Sequence, residues 1–97
     1  MNDTIRETLK LFRDGKSVEQ IARARGLAAS TICGHLAGAI EAGEKIDVRG
    51  LVTAEQERLI EAAFSKVKLG GLSAVKELLG EKVDYGQLRI YLALKRA

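Results

Sequence analysis

The side chains able to do chemistry in this 97-residue chain are few and poorly spaced for catalysis. Cys33 and His35 are its single thiol and single imidazole. Two positions apart on a helix, their side chains diverge by about 200° and cannot share a metal ion. No further Cys or His is present to complete a site, so no metal is expected. Gly15, Lys16 and Ser17 form the end of a phosphate loop without its beginning, because the position of the first glycine holds Lys10. The triplet reads as a helix stop followed by a helix cap, and no nucleotide or other cofactor is expected. Glu55 and Glu57 fall on different helix faces, unlike the paired carboxylates of general acid–base catalysis. The chain is therefore read as non-enzymatic. What remains is a set of small donors and cations, Ser30, Thr31 and His35 with Lys16, Arg23, Arg25, Lys45 and Arg49, whose chemistry suits phosphate.

Positioning such groups is the task of residues 17–40, SVEQIARARGLAASTICGHLAGAI. Val18, Ile21 and Ala22 mark the inner side of a short helix, Gly26 supplies a turn position suited to positive φ, and Leu27 plugs the corner. Ile32, Leu36 and Ile40 recur at i, i+4 and i+8, which directs one stripe to the core and leaves Ala29, Ser30, Cys33, Gly34 and Ala37 outward. The pattern is a helix-turn-helix, and its outward face is where DNA bases would be read.

Candidate DNA contacts are Ser30, Thr31, Gly34 and His35 on the second helix, with Lys16, Arg23 and Arg25 on phosphates. That helix carries no Arg, Lys, Asn or Gln, the side chains that read bases bidentately, so the expectation is salt-dependent binding with little sequence preference. His35 fits a phosphate contact and a half-packed ring equally well, and Cys33 is most simply a small, partly buried residue. The same small face also suits docking on another protein. A final helix offers a second surface through Gln87, Arg89, Tyr91, Lys95 and Arg96. Its tyrosines suit packing better than base stacking.

The surrounding elements read as all-α, about six helices in two three-helix units, residues 1–43 and 54–97 with a connector over 44–53, forming either one domain or two very small ones. Zero prolines, four aromatics and 46% hydrophobic residues fit such a protein. Helix one runs from about Asp3 or Thr4, either of which can cap it, to Asp14, with Gly15 as its stop. Ser17 caps helix two. Helix three covers Ala29 to Ala42 and lacks a capping side chain at Ala28. The connector includes an alternating Ile46, Val48 pair that suits a short extended segment. Thr53 and Gln56 form a capping box for a helix over Ala54 to Lys66, with Leu59, Ile60, Ala63 and Phe64 inward. Gly70 and Gly71 break the chain before helix five, Gly80 stops that helix, and Asp84 caps helix six.

The halves echo one another. Ile21 lies five residues before Gly26 and Ile32 six after it, whereas Val75 lies five before Gly80 and Leu88 eight after, so the second turn is about two residues longer.

The net charge is +3, from 16 Lys and Arg against 13 Asp and Glu. Basic and acidic residues number 8 and 7 in positions 1–50, and 8 and 6 in positions 51–97, so neither half is a basic arm. This balance permits phosphate binding without establishing it. No stretch approaches the ~18 apolar residues of a membrane span, so no membrane partner is expected. The N-terminus lacks the layout of a signal peptide, and the cytoplasm is the expected location. A single cysteine fits a reducing compartment.

The run LFRDGKSVEQIARARGLAASTICGHLAGAIEAGEKID, then LVTAEQERLIEAAF and VKELLGEKVDYGQLRIYLALKR, resembles the helix-turn-helix domain at the C-terminus of bacterial RecQ-type DNA helicases. The elements that carry it are the GKS start, IA followed by the RGL turn, STI with the HL pair, the GE.ID connector, the LV helix start and LGE..DYG.LR. The resemblance implies a non-catalytic accessory module of a DNA-unwinding enzyme. Its partners would be duplex or forked DNA, the helicase core or a partner protein; a stand-alone transcription regulator is a further alternative.

Overall fold

The helix Ala29–Glu41 sits between two hydrophobic cores, and the rest of the molecule is arranged around it. A computed structural model describes residues 2–67 and 71–96. In order they form α1 (Asp3–Arg13), α2 (Val18–Arg25), α3 (Ala29–Glu41), α4 (Ala54–Lys66), α5 (Gly71–Leu79), a 3-10 turn (Gly80–Lys82) and α6 (Tyr85–Arg96). The six helices make an all-α fold with no strand among the described residues.

Local chemistry sets most boundaries. Ser17 Oγ accepts from the Gln20 amide at 3.1 Å while Gln20 Oε1 accepts from the Ser17 amide at 2.8 Å. Thr53 and Gln56 repeat this reciprocal pair at the start of α4, as do Asp84 and Gln87 at the start of α6. The cap of α1 is neither Asp3 nor Thr4 but Asn2, whose side chain accepts from the Ile5 amide at 2.9 Å. Asparagine offers the same oxygen one residue earlier. α3 starts from Ala28 with no side-chain cap and ends at Glu41, one residue before Ala42. Gly26 closes α2 at φ +66°, and Gly80 closes α5 at φ +60°, the left-handed region that glycine enters without steric cost. Gly71 is the first residue of α5, and Gly70 lies outside the described residues.

On one side of α3, Ile32 and Leu36 pack with Val18, Ile21 and Ala22. On the other, Ala37 and Ile40 join Ile60, Ala63, Val75, Leu88, Ile90 and Ala93. The connector contributes Val52, which is buried, and half-buried Ile46, Val48 and Leu51. Its Ile46 and Val48 form no extended segment; Val48 O instead accepts from the Leu51 and Val52 amides in a turn. In α4, Ile60 and Ala63 are buried, and Leu59 and Phe64 are half-buried.

Two expectations about the helix-turn-helix change in three dimensions. Leu27 does not plug the corner: it is 37% exposed, and its amide donates to Ala22 O at 3.0 Å as part of the α2 terminus. Ala37 does not face outward; it is buried, and Cys33 and Gly34 are half-buried, because α6 lies along this face. Cys33 meets Gly86 near the N-terminal ends of the two helices, and Glu41 reaches Arg96 at their C-terminal ends, so α3 and α6 run in the same direction. Of all helix pairs, α3 and α6 make the most extensive contact.

Candidate nucleic-acid interface

With α1, α2 and α6 packed around it, α3 leaves only its first turn, Ala29, Ser30 and Thr31, fully open to solvent before Glu41. Three helix starts converge there. Lys16, Ser17 and Gln20 of the α2 start, Ala29 and Ser30 of α3, and Tyr85 at the start of α6 border an open groove of about 650 Å³. Helix starts carry unsatisfied amides and a partial positive charge, which suits a phosphate oxygen, but Glu19 and Asp84 on the same groove oppose it. Lys16 and Ser30 are thus brought together, while Arg23 stands exposed on the outer side of α2.

Gly34 faces a second groove, of about 310 Å³, bordered by Gly38, Glu41, Arg89 and Arg96. Its surface is backbone, and the Arg89 guanidinium lies over it: Nη1 is 3.4 Å from where a Cβ on Gly34 would stand.

Arg25 is held inside the protein. Its side chain is only 12% exposed, its Nη2 lies 3.2 Å from Glu7 Oε2, and its Nη1 donates to Thr4 O at 2.8 Å and to Thr8 Oγ1. Thr8, fully buried, passes this network to α3, where its hydroxyl lies 2.9 Å from His35 Nδ1. Because that oxygen accepts from Arg25, its proton is free for the ring, an arrangement suited to neutral imidazole protonated at Nε2. Burial, and then the nearby Arg25 charge, hold the His35 pKa below its ordinary value. His35 therefore stands as a neutral, oriented donor that links α1, α2 and α3.

Cys33 lies against α6, where a Cβ on Gly86 would meet its Sγ at 2.7 Å. Burial, followed by Asp84 and Glu19, pushes its thiol pKa up, so it stays protonated and unreactive. Tyr91 stacks on Phe64 with ring centroids 6.0 Å apart and carries Lys95 over its ring, which makes it a packing residue. Tyr85 is exposed at the rim of the larger groove. The link from Thr8 to Arg25 and His35 has no signal in the sequence, since its members lie 17 and 27 residues apart.

The family described as a helix-turn-helix domain matches residues 4–92. The chain belongs to that family. No curated protein and no solved structure matches it. Membership of the helix-turn-helix family suggests DNA binding, the work for which such helix pairs are known. No helix among the described residues is long and apolar enough to cross a membrane.

Proposed function

We propose that this helix-turn-helix domain is a non-catalytic accessory of a RecQ-type DNA helicase, binding DNA through phosphate and shape contacts with little sequence preference. The observation that carries this reading is the exposure of α3: one open turn bearing Ser30 and Thr31, with the rest of the helix flanked by α1 and α6. A recognition helix that enters the major groove needs a free face along several turns and long polar side chains on it. Here Ser30, Thr31 and the adjacent Lys16 suit a phosphate at the helix start, Arg23 suits a neighbouring one, and His35 adds a neutral donor. The sequence resemblance to the RecQ-type domain supports the helicase setting, which would place the chain in the cytoplasm.

A regulator reading two half-sites needs recognition helices roughly 34 Å apart. In a dimer these come one from each copy, and the absence of Arg, Lys, Asn and Gln from α3 favours the accessory reading over the regulator. The larger groove favours protein docking as the second reading, because Phe12, Val18, Leu51 and Ile90 give it an apolar lining.

Titration of the chain into labelled duplex, single-stranded and forked DNA at low and moderate salt tests the proposal. Binding that weakens steeply with salt and varies little with sequence is expected. Absence of binding to every probe at low salt would favour docking, and binding to one duplex sequence alone would favour the regulator.

A further inference from the structure

α3 carries no Arg, Lys, Asn or Gln, but neighbouring helices bring cations to its surface. Among the described arginines, Arg6, Arg13, Arg25, Arg49 and Arg96 each face a carboxylate within 4 Å, at Asp3, Glu44, Glu7, Asp47 and Glu41 respectively. Arg23, Arg58 and Arg89 have no such partner among the described residues. Arg23 stands exposed on α2 and Arg58 exposed on α4. Arg89, also exposed, has its guanidinium over Gly34, at the middle of α3.

We propose that Arg89 is the phosphate-gripping side chain of the α3 surface, supplied by α6 in place of the cations that α3 does not carry. This rests on the DNA reading above and names the residue through which that surface holds the backbone. Three features argue for it. A guanidinium presents paired N–H groups that match two phosphate oxygens, and lying against a helix leaves it less freedom to lose on binding than a free surface chain. Gly34 presents bare backbone beneath it, with Nη1 3.4 Å from where a Cβ would stand, so the guanidinium lies within van der Waals range of α3. Among the described residues the one carboxylate bordering this groove, Glu41, lies at its far end and is 3.8 Å from Arg96, so its charge is already opposed. Phosphate rather than a base edge is the target because α1 and α6 flank α3 and prevent it from lying deep in a major groove.

The test is a fluorescence-anisotropy titration of the whole chain against a labelled 20-base-pair duplex over a range of salt concentrations. Arg89→Gln, Arg89→Lys and Arg58→Gln are compared with the native chain, and thermal unfolding establishes that each variant is folded. Arg89→Gln is expected to weaken binding about tenfold at low salt and to reduce the slope of log K against log salt by about 0.9, the loss of one phosphate contact. Arg89→Lys should keep the slope while losing part of the affinity, and Arg58→Gln should change neither. If the native chain binds and Arg89→Gln matches it in affinity and slope, this proposal is overturned and the DNA reading stands. A loss of affinity with an unchanged slope also overturns it, because the contact would not be ionic. If the native chain binds no DNA but binds polyglutamate, both readings fall in favour of an acidic protein partner.

Discussion

The two halves of the molecule solve the same packing problem with different materials. In each, a fully buried aliphatic residue five positions before a left-handed glycine meets another on the following helix: Ile21 and Ile32 around Gly26, Val75 and Leu88 around Gly80. The first turn is tight, Gly26 to Ala28, and leaves α3 uncapped. The second is two residues longer, and the 3-10 turn Gly80–Lys82 absorbs the excess and delivers Asp84 as a cap for α6. The second residues of α3 and α6 differ in the same spirit. Ser30 is exposed, whereas Gly86 is buried against Cys33. Equivalent positions in related helices thus have opposite tolerances, because α6 approaches α3 through its own N-terminal turn while the start of α3 stays open. Of these two matching positions, the one on the bare helix start is also the one open to a ligand.

That contrast can be broken most strongly at the seam. Gly86→Ala would place a Cβ 2.7 Å from Cys33 Sγ and 3.0 Å from Cys33 Cβ. Overpacking of about 1–3 kcal/mol should exceed the gain in helix propensity of about 1 kcal/mol, giving a net loss in chemical denaturation. Adding Cys33→Ala should restore part of it by removing the nearer atom. Ser30→Ala, at the matching position of α3, should stay within about 0.5 kcal/mol of the native chain.

The caps give a smaller and two-signed test. Asp84→Ala removes the acceptor for the Gln87 amide, at 2.7 Å in the native chain, and should cost about 1 kcal/mol. Ala28→Ser supplies the cap α3 lacks and should stabilise by about 0.5–1 kcal/mol, measured by the same unfolding titration. Equal responses to the two substitutions would remove the distinction between the helix starts.

The smallest effect is a pH dependence confined to the first half. The folded protein holds the His35 pKa below its ordinary value of about 6.5, so the unfolded chain binds more protons in this range. The associated stability is complete above about pH 6.5 and is lost as pH falls from there through the folded pKa. His35→Gln should flatten this part of the stability–pH curve, and Arg25→Gln should flatten it in part by removing the nearby charge, the second cause of the shift after burial. A curve unchanged by both would sever the ring from the network.

How much of this was legible in the chain follows the range of the interactions. Ser17 with Gln20, Thr53 with Gln56, and the missing cap at Ala28 are three-residue relationships, readable because a helix start satisfies its amides locally. The stripe Ile32, Leu36, Ile40 was readable because strongly apolar side chains at helical spacing leave one plausible inner face. The other face was not. Cys33, Gly34 and Ala37 are small and nearly indifferent to burial, so their periodicity says nothing about whether a second helix covers them. Arg25 looked like its exposed neighbour Arg23, and only partners far along the chain, Thr4 and Thr8, distinguish them.

Local patterns suffice for the helices, most of their ends and the repeated glycine turn, since these depend on bonds and contacts within a few residues; the cap at Asn2 and the turn at Val48 escape them. Tertiary structure decided that α3 lies between two cores, that Arg25 is held inside and that Arg89 reaches across to Gly34. Those outcomes depend on how closely α1 and α6 can approach a helix of small residues, a property of the assembled surfaces that no local pattern encodes.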